Sequence, residues 1–476
     1  MTIRSWTTLT LLGLALAYAA FNNAGVDPLA WHWTMLCIGL VGCLHFGIRA
    51  PAEAPRTDRI ALVAAGVFLF VAALQVIPLP VALVHFISPS RVDLFKASLL
   101  LAKASPGFLT LSAAPYQTAE YLITLSGYAV VALIIRDLTL QASVSPWITS
   151  LPVVLLGTIE AVLGIFQAAY GIADDSAAGT FASRDHYAGL LEMVLPFAVM
   201  ICVSILQRDR QRHESPAGPA IKACFFLAAA ATLLVGIIYS LSRMGFIASL
   251  AALFVAGSIA LSLRVFRSDY TVTSGWGGRW VPSVVVALVV LTGFVVLPTG
   301  PLIARFSDLA RIDHISGDIR LQIWRDTTAL IRAFPFVGCG LGGYYSCLLP
   351  YKTAAPMNTV DFAHNDYLQV LAEMGIFGFC AGALLVFRVL QRVVRGARYA
   401  HSIEARCLAI ACTSSMTAML LHSVVDFNMY VPVNGLVFAW ILGIAGMFLG
   451  RDRRRAARNP RPHSVRPEYV AVHARQ

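Results

Sequence analysis

Long apolar runs alternate with short polar gaps along most of this chain, and the runs are close to a bilayer in length. A spanning helix needs about 20 mostly apolar residues. Twelve stretches fit: 6–22, 33–48, 60–78, 117–135, 148–170, 187–206, 223–241, 245–263, 281–298, 366–387, 407–424 and 432–449. One long polar segment interrupts them, over 299–365. It is rich in Trp, Tyr, Phe and Ile, which argues for a folded unit over a disordered loop. Inside it, DIRLQIWRDTTALIRAF has helical spacing, with Ile319, Ile323, Leu330 and Ile331 on one broad face and Arg320 one turn from Trp324. The pattern predicts an all-α polytopic membrane protein of about twelve transmembrane helices. Spans 1–9 fall in residues 1–298, a large helical extracytoplasmic loop in 299–365, spans 10–12 in 366–450, and a basic tail in 451–476. Segment 79–116 reads as a second outside loop with a short helix along the interface. The first run has Arg4 before it and AYAA near its end, as cleaved signal peptides do. It is kept here as a span, and the orientation of everything after it is the same under either reading.

Composition agrees with the pattern. Of 476 residues 58% are hydrophobic and 13% charged, about half the charged share of a soluble domain. A net charge of +11 suggests nucleic acid in a soluble protein. In a polytopic chain its source is the excess of Lys and Arg in cytoplasmic loops. With the N-terminus in the cytoplasm and the spans alternating, the cytoplasmic segments hold 25 of the 36 Lys and Arg residues and the opposite face 11. Both termini are then cytoplasmic and the long loop is outside. The tail reads as a solvated stop-transfer segment, with contact to anionic lipid heads as the other reading. The nine cysteines form no CxxC and no zinc-spaced cluster with His. Cys339 and Cys347 are the two outside, eight apart, and a disulfide between them is left open.

Cations on the outer face run against the charge bias. Arg184, in GTFASRDHYAGLLE, and Arg243, in YSLSRMGF, sit at membrane depth, where an unpartnered charge is costly. They read either as lipid-phosphate anchors or as a clamp for a phosphate-bearing substrate, because guanidinium forks bind phosphate oxygens in pairs. Arg320, near the start of the loop helix, is a third candidate. Arg325 and Arg332 read as solvated charges. His364 stands where the loop enters a membrane helix, followed by Asn365, with Glu373 two turns further on. An imidazole there can take a proton from a hydroxyl near neutral pH. His422 and Asp426, at i and i+4, end the eleventh span on the same face, where they orient each other or cap the helix. His186 is a further imidazole on that face. Glu160, in mid-span, is protonated, paired or part of a relay. The glycines of VGCGLGGYY match neither phosphate-loop pattern and read as a turn-rich connector.

At these residues the chain resembles the O-antigen ligase/polymerase superfamily of bacterial envelope glycosyltransferases. The ligases of that family carry His, then Asn, Ser or Gln, nine residues, Gly, two residues, Gly. Here that is His364, Asn365, then Gly375 and Gly378. The helix with Arg320 and Trp324, followed by AFPFVGCGLGGYY, is similar to the region before that His, and HSVVDFNMYVPVNG to a late segment of polysaccharide-type members. The resemblance covers about 150–450. The first 120 residues match in hydropathy alone, and Trp324 stands where ligases often have Leu.

The resemblance implies a GT-C-like membrane enzyme of the bacterial inner membrane, acting in lipopolysaccharide or exopolysaccharide assembly. Its donor would be a glycan on a polyprenyl (undecaprenyl-type) diphosphate, and its acceptor a glycan or lipid hydroxyl. Arg184, Arg243 and Arg320 would neutralise the departing diphosphate, and His364 would deprotonate the acceptor, giving single displacement with inversion. Asn365, Glu373, His186, His422 and Asp426 would support them. No Asp-x-Asp or nucleotide motif appears outside, so no metal, cofactor or nucleic-acid partner is expected; membrane lipid is. The alternative is a transporter or flippase for the same lipid-linked saccharides, which would place ionisable residues near mid-membrane on discontinuous helices. Convergence of His364, Arg184, Arg243 and Arg320 at one outward site discriminates the two.

Overall fold

Helices form along the apolar runs, as the pattern predicts. The structure, a computed structural model, describes residues 1–47, 58–99, 107–142, 145–172, 176–212, 217–263, 265, 316–354 and 359–450. Its helices are α1 (Ile3–Phe21), α2 (Pro28–Gly47), α3 (Arg59–Val76), α4 (Val81–Ile87), α5 (Pro89–Leu99), α6 (Pro115–Gln141), α7 (Leu151–Ala169), α8 (Arg184–Arg212), α9 (Ala217–Tyr239), α10 (Arg243–Ser262), α11 (Ser316–Ala333), α12 (Tyr344–Leu348), α13 (Asp366–Tyr399), α14 (Ile403–His422) and α15 (Pro432–Ala445). Among the described residues ten helices are long and apolar enough to cross a membrane: α2, α3, α6 to α10 and α13 to α15. These match ten of the twelve expected spans. The expected span 281–298, the first part of the loop (299–315) and the tail lie outside the described residues. The expected first span is helical as α1, and Leu9, Leu12 and Leu16 carry it into the main core. It falls outside the set of ten because Arg4, Ser5 and three threonines dilute its apolar run.

The bundle is apolar outside as well as inside. Phe70 and Phe254 are 63% and 75% exposed, which suits hydrocarbon and not water. Glycine and alanine let helices approach closely, as membrane helix pairs do: a Cβ on Gly245 in α10 would collide with that of Ala188 in α8. Helix α8 is central, packed on α7, α9, α10, α14 and α15. Helices α8 and α14 run antiparallel. Near the end of α8, Arg208 meets Glu404 at the start of α14, 2.6 Å apart. Near the start of α8, Glu192 meets His422 at the end of α14, 3.0 Å apart. The bundle therefore has two distinct polar ends. The Arg208 end also holds Asp58, which caps α3 and pairs with Arg388 and Arg392 of α13. Burial resists ionisation of that carboxyl, but the two guanidinium groups hold it well below the usual carboxylate range.

At the other end lies a small non-spanning layer. Strands β1 (Pro78–Pro80) and β2 (Phe108–Thr110) pair antiparallel, Leu79 facing Leu109. The expected short helix of segment 79–116 is the pair α4 and α5. Helix α11 buries Ile323 and Leu330 with Phe334, Cys339, Tyr344 and Cys347, and packs Ile319 and Ile331 against them, the face that the spacing of DIRLQIWRDTTALIRAF predicts.

Helix α13 is broken inside the expected tenth span. Gly375 has φ 61° and ψ −172°, a conformation essentially reserved for glycine. The segment 335–340 lies against the break and takes up its free backbone groups. Ile376 N–H donates to the Pro335 carbonyl (2.9 Å), and Cys339 and Gly340 N–H donate to the carbonyls of Ala372 (2.9 Å) and Glu373 (3.1 Å). A Cβ on Gly375 would collide with the Phe336 carbonyl, and one on Gly338 with the Glu373 carbonyl. Gln75, fully buried at the end of α3, donates to the carbonyls of Val337 and Glu373 and accepts from Leu341 N–H. The glycine run read as a plain connector is thus a backbone splint for a discontinuous helix.

Candidate active site

The short first half of α13 is set up by three signature positions. Asn365 caps it, accepting from Leu368 N–H (3.0 Å) while its amide donates to the Val424 carbonyl (2.8 Å). Gly375 ends it. Gly378 leaves room for Met374, whose side chain a Cβ there would strike. His364, just before the cap, has φ 49°, a left-handed backbone that a non-glycine residue adopts at a cost. The turn after α14 docks on the same spot: Asp366 N–H donates to the carbonyls of Ser423 (2.9 Å) and Asp426 (3.1 Å). The Asp366 carboxylate accepts from Ser423 Oγ (2.7 Å) and Met429 N–H (3.2 Å).

Asp426 is the hub of this end. His364 Nδ1 and His186 Nε2 stand 3.8 and 3.6 Å from its Oδ1, and His422 Nε2 stands 3.9 Å from its Oδ2. These are ion-pair distances, longer than hydrogen bonds. Phe427 N–H adds a hydrogen bond to Oδ1 (2.9 Å). Burial pushes the Asp426 carboxyl up, but the facing imidazoles of His186, His364 and His422 outweigh it and hold it well below the usual carboxylate range. Behind it, His422 and Glu192 are both almost fully buried. Phe427 packs edge-on to His186 and His364 and stacks on Phe362 at 4.2 Å. His364 is the exposed member, its side chain 36% accessible. Its Nδ1 faces Asp426 Oδ1 at ion-pair distance without a hydrogen bond, which leaves Nε2 as the nitrogen for a substrate.

Two arginines open helices at this end. Arg184 begins α8 and Arg243 begins α10, capped by Ser242. The Ala188–Gly245 contact sets those first turns side by side. Two helix N-termini, each with a guanidinium, make a site suited to an anion. Arg320 lies one turn before Trp324, whose indole N–H donates to the carbonyl of Ala363, the neighbour of His364 (3.0 Å). All three arginines are half-buried and make no ion pair among the described residues, whereas Arg325 and Arg332 are exposed.

Other expected residues lie apart from the hub. Glu373 is buried and accepts from Tyr430 Oη (2.7 Å), Gln369 Nε2 (3.0 Å) and Tyr344 N–H (3.2 Å). Glu160 accepts from the backbone N–H and hydroxyl of Thr180, tying down the connection before α8. Cys339 and Cys347 are both buried free thiols, Cys347 Sγ donating to the Cys339 carbonyl at 3.8 Å. Glu192, Gln75 and Tyr430 were missed from sequence. Among the described residues no cluster of His, Cys, Asp and Glu is arranged as a metal site.

A multi-helix membrane bundle with a histidine–aspartate centre and, at the same end, arginines that make no ion pair among the described residues is the class these observations define. Residues 228–381 match the family model described as O-antigen ligase (Wzy_C). The match spans Arg243, Arg320, His364, Glu373, Gly375 and Gly378, and supports the O-antigen ligase/polymerase superfamily. Arg184, His186, His422 and Asp426 lie outside it. No curated protein matches the chain. Together the family match and the spanning helices support a multi-pass protein of the bacterial inner membrane and a glycosyltransferase of the O-antigen ligase/polymerase type.

Proposed function

We propose that this protein transfers a glycan from a polyprenyl-diphosphate donor to an acceptor hydroxyl, by single displacement with inversion and without a metal. The observation that carries this reading is the backing of His364 by Asp426 at the same end of the bundle where Arg184 and Arg243 open two abutting helices. His364 Nε2 takes the acceptor proton as the oxygen attacks the anomeric carbon. The bond from that carbon to the diphosphate oxygen breaks, and the new charge falls on the guanidinium groups and helix N-termini. Asp426 steadies the imidazolium as it forms. The break in α13 favours the flippase reading, since transporters use discontinuous helices. Against it, the histidine–aspartate cluster lies within two turns of the bundle end.

The test is glycan transfer by purified protein in nanodiscs with lipid-linked donor at saturation. His364→Ala lowers transfer by roughly 10²–10⁴-fold, and His364→Gln, which keeps a hydrogen-bonding group but is no base, is about as damaged. Arg184→Ala and Arg243→Ala lose more activity than Arg325→Ala or Arg332→Ala, and Lys restores only part because the bidentate fork is gone. An active, thermally normal His364→Gln protein removes the base assignment. Normal turnover by both arginine variants removes the diphosphate clamp.

A further inference from the structure

Ala363, the residue just before His364, is held through both of its backbone polar groups by side chains that the proposed chemistry leaves unused. Ala363 N–H donates to Gln369 Oε1 at 2.7 Å, and the Ala363 carbonyl accepts from Trp324 Nε1 at 3.0 Å. Gln369 is fully buried, and its amide is aimed by the Glu373 carboxylate at 3.0 Å. On the other side of His364, Asn365 and Asp366 are tied to the turn after α14. The residue between these two anchors is the one with φ 49°. A strained backbone persists only where its surroundings over-determine it, and these hydrogen bonds are that over-determination.

We propose that Trp324 is a positioning residue for His364: its indole N–H, with the Gln369 amide, locks the Ala363 backbone on both sides of its Cα and so holds His364 in the left-handed backbone that turns its imidazole to Asp426. Helix α11 therefore completes the reacting centre when it docks on α13, and it brings Arg320, one turn away, into place in the same step. The inference rests on the reading of His364 as the base.

Trp324→Phe tests it, because the ring still fills its place against the α11 cluster while the donor is lost. At saturating donor and acceptor, kcat falls about 3- to 10-fold, the worth of one well-placed hydrogen bond. The donor KM and the thermal midpoint stay close to wild type. In a His364→Gln background the same change has no further effect, since a residue acting through His364 has nothing left to act on. Gln369→Leu repeats the test at the Ala363 N–H should Trp324→Phe fold poorly. Wild-type kcat in both variants overturns the proposal, as does a further, additive loss in the His364→Gln background. Full transfer by His364→Gln alone instead overturns the base reading, so the two failures are told apart.

Discussion

Asp426 draws three imidazoles to one carboxylate, and its ionisation sets what acid does to the site. A carboxyl whose folded value is depressed keeps its charge above that value and loses it only as pH falls through it. For Asp426 that window lies below the usual carboxylate range, under about pH 4. Activity lost between about pH 7 and 5 is therefore not neutralisation of Asp426. Asp426→Asn removes the charge at every pH, and the expected outcome is lower transfer across the whole window. A pH–rate profile of both proteins checks this; a variant that matches wild type above pH 7 and diverges only in acid contradicts it. His364, Arg184, Arg243, His422 and Asp426 were legible in the sequence because ionisable residues at the ends of apolar runs stand out against lipid. Glu192 was not. It sits inside an apolar run, and its partner His422 is 230 positions away, a pairing that only the fold reveals.

Among the described residues helices were legible wherever an apolar run was long, and the break in α13 was invisible for the same reason. Gly375 lies in a run whose composition reads as continuous helix, and a helical glycine is usually just tolerated. What makes it a break is the backbone of Phe336 and Val337, brought up by Gln75 from a helix far away in sequence. The glycine-rich run reads in sequence as a turn-rich connector alone, because a splint that uses backbone groups leaves no side-chain pattern. The expected cost of Gly375→Ala is about 2 kcal/mol or more, from the positive φ and the collision with Phe336 together. Gly66→Ala in α3, where nothing lies within 4 Å, should be neutral or slightly stabilising. Thermal midpoints of the two variants in one detergent compare them directly. Equal midpoints would mean that the break is not needed for the fold.

The described residues form two polar ends with an apolar belt between them, and the charge count motivates a side for each end. The Arg208, Glu404, Asp58, Arg388 and Arg392 end belongs to the segments with 25 of the 36 Lys and Arg residues. The His364 end belongs to the segments with 11. We propose, from the positive-inside rule, that the first end is cytoplasmic and that the histidine–aspartate centre faces outward. A lipid-linked glycan that has already crossed the membrane would meet it there. Asp361 and His401 are exposed residues at the two ends. On a cysteine-free background, Asp361→Cys should react with a membrane-impermeant maleimide in intact spheroplasts, and His401→Cys only after lysis. Cys339 and Cys347 are buried among α11, α12 and α13, so their replacement by Ala must first be shown to leave the thermal midpoint unchanged. Labelling of His401→Cys in intact spheroplasts with Asp361→Cys protected would reverse the orientation, and with it the side on which the acceptor hydroxyl has to arrive.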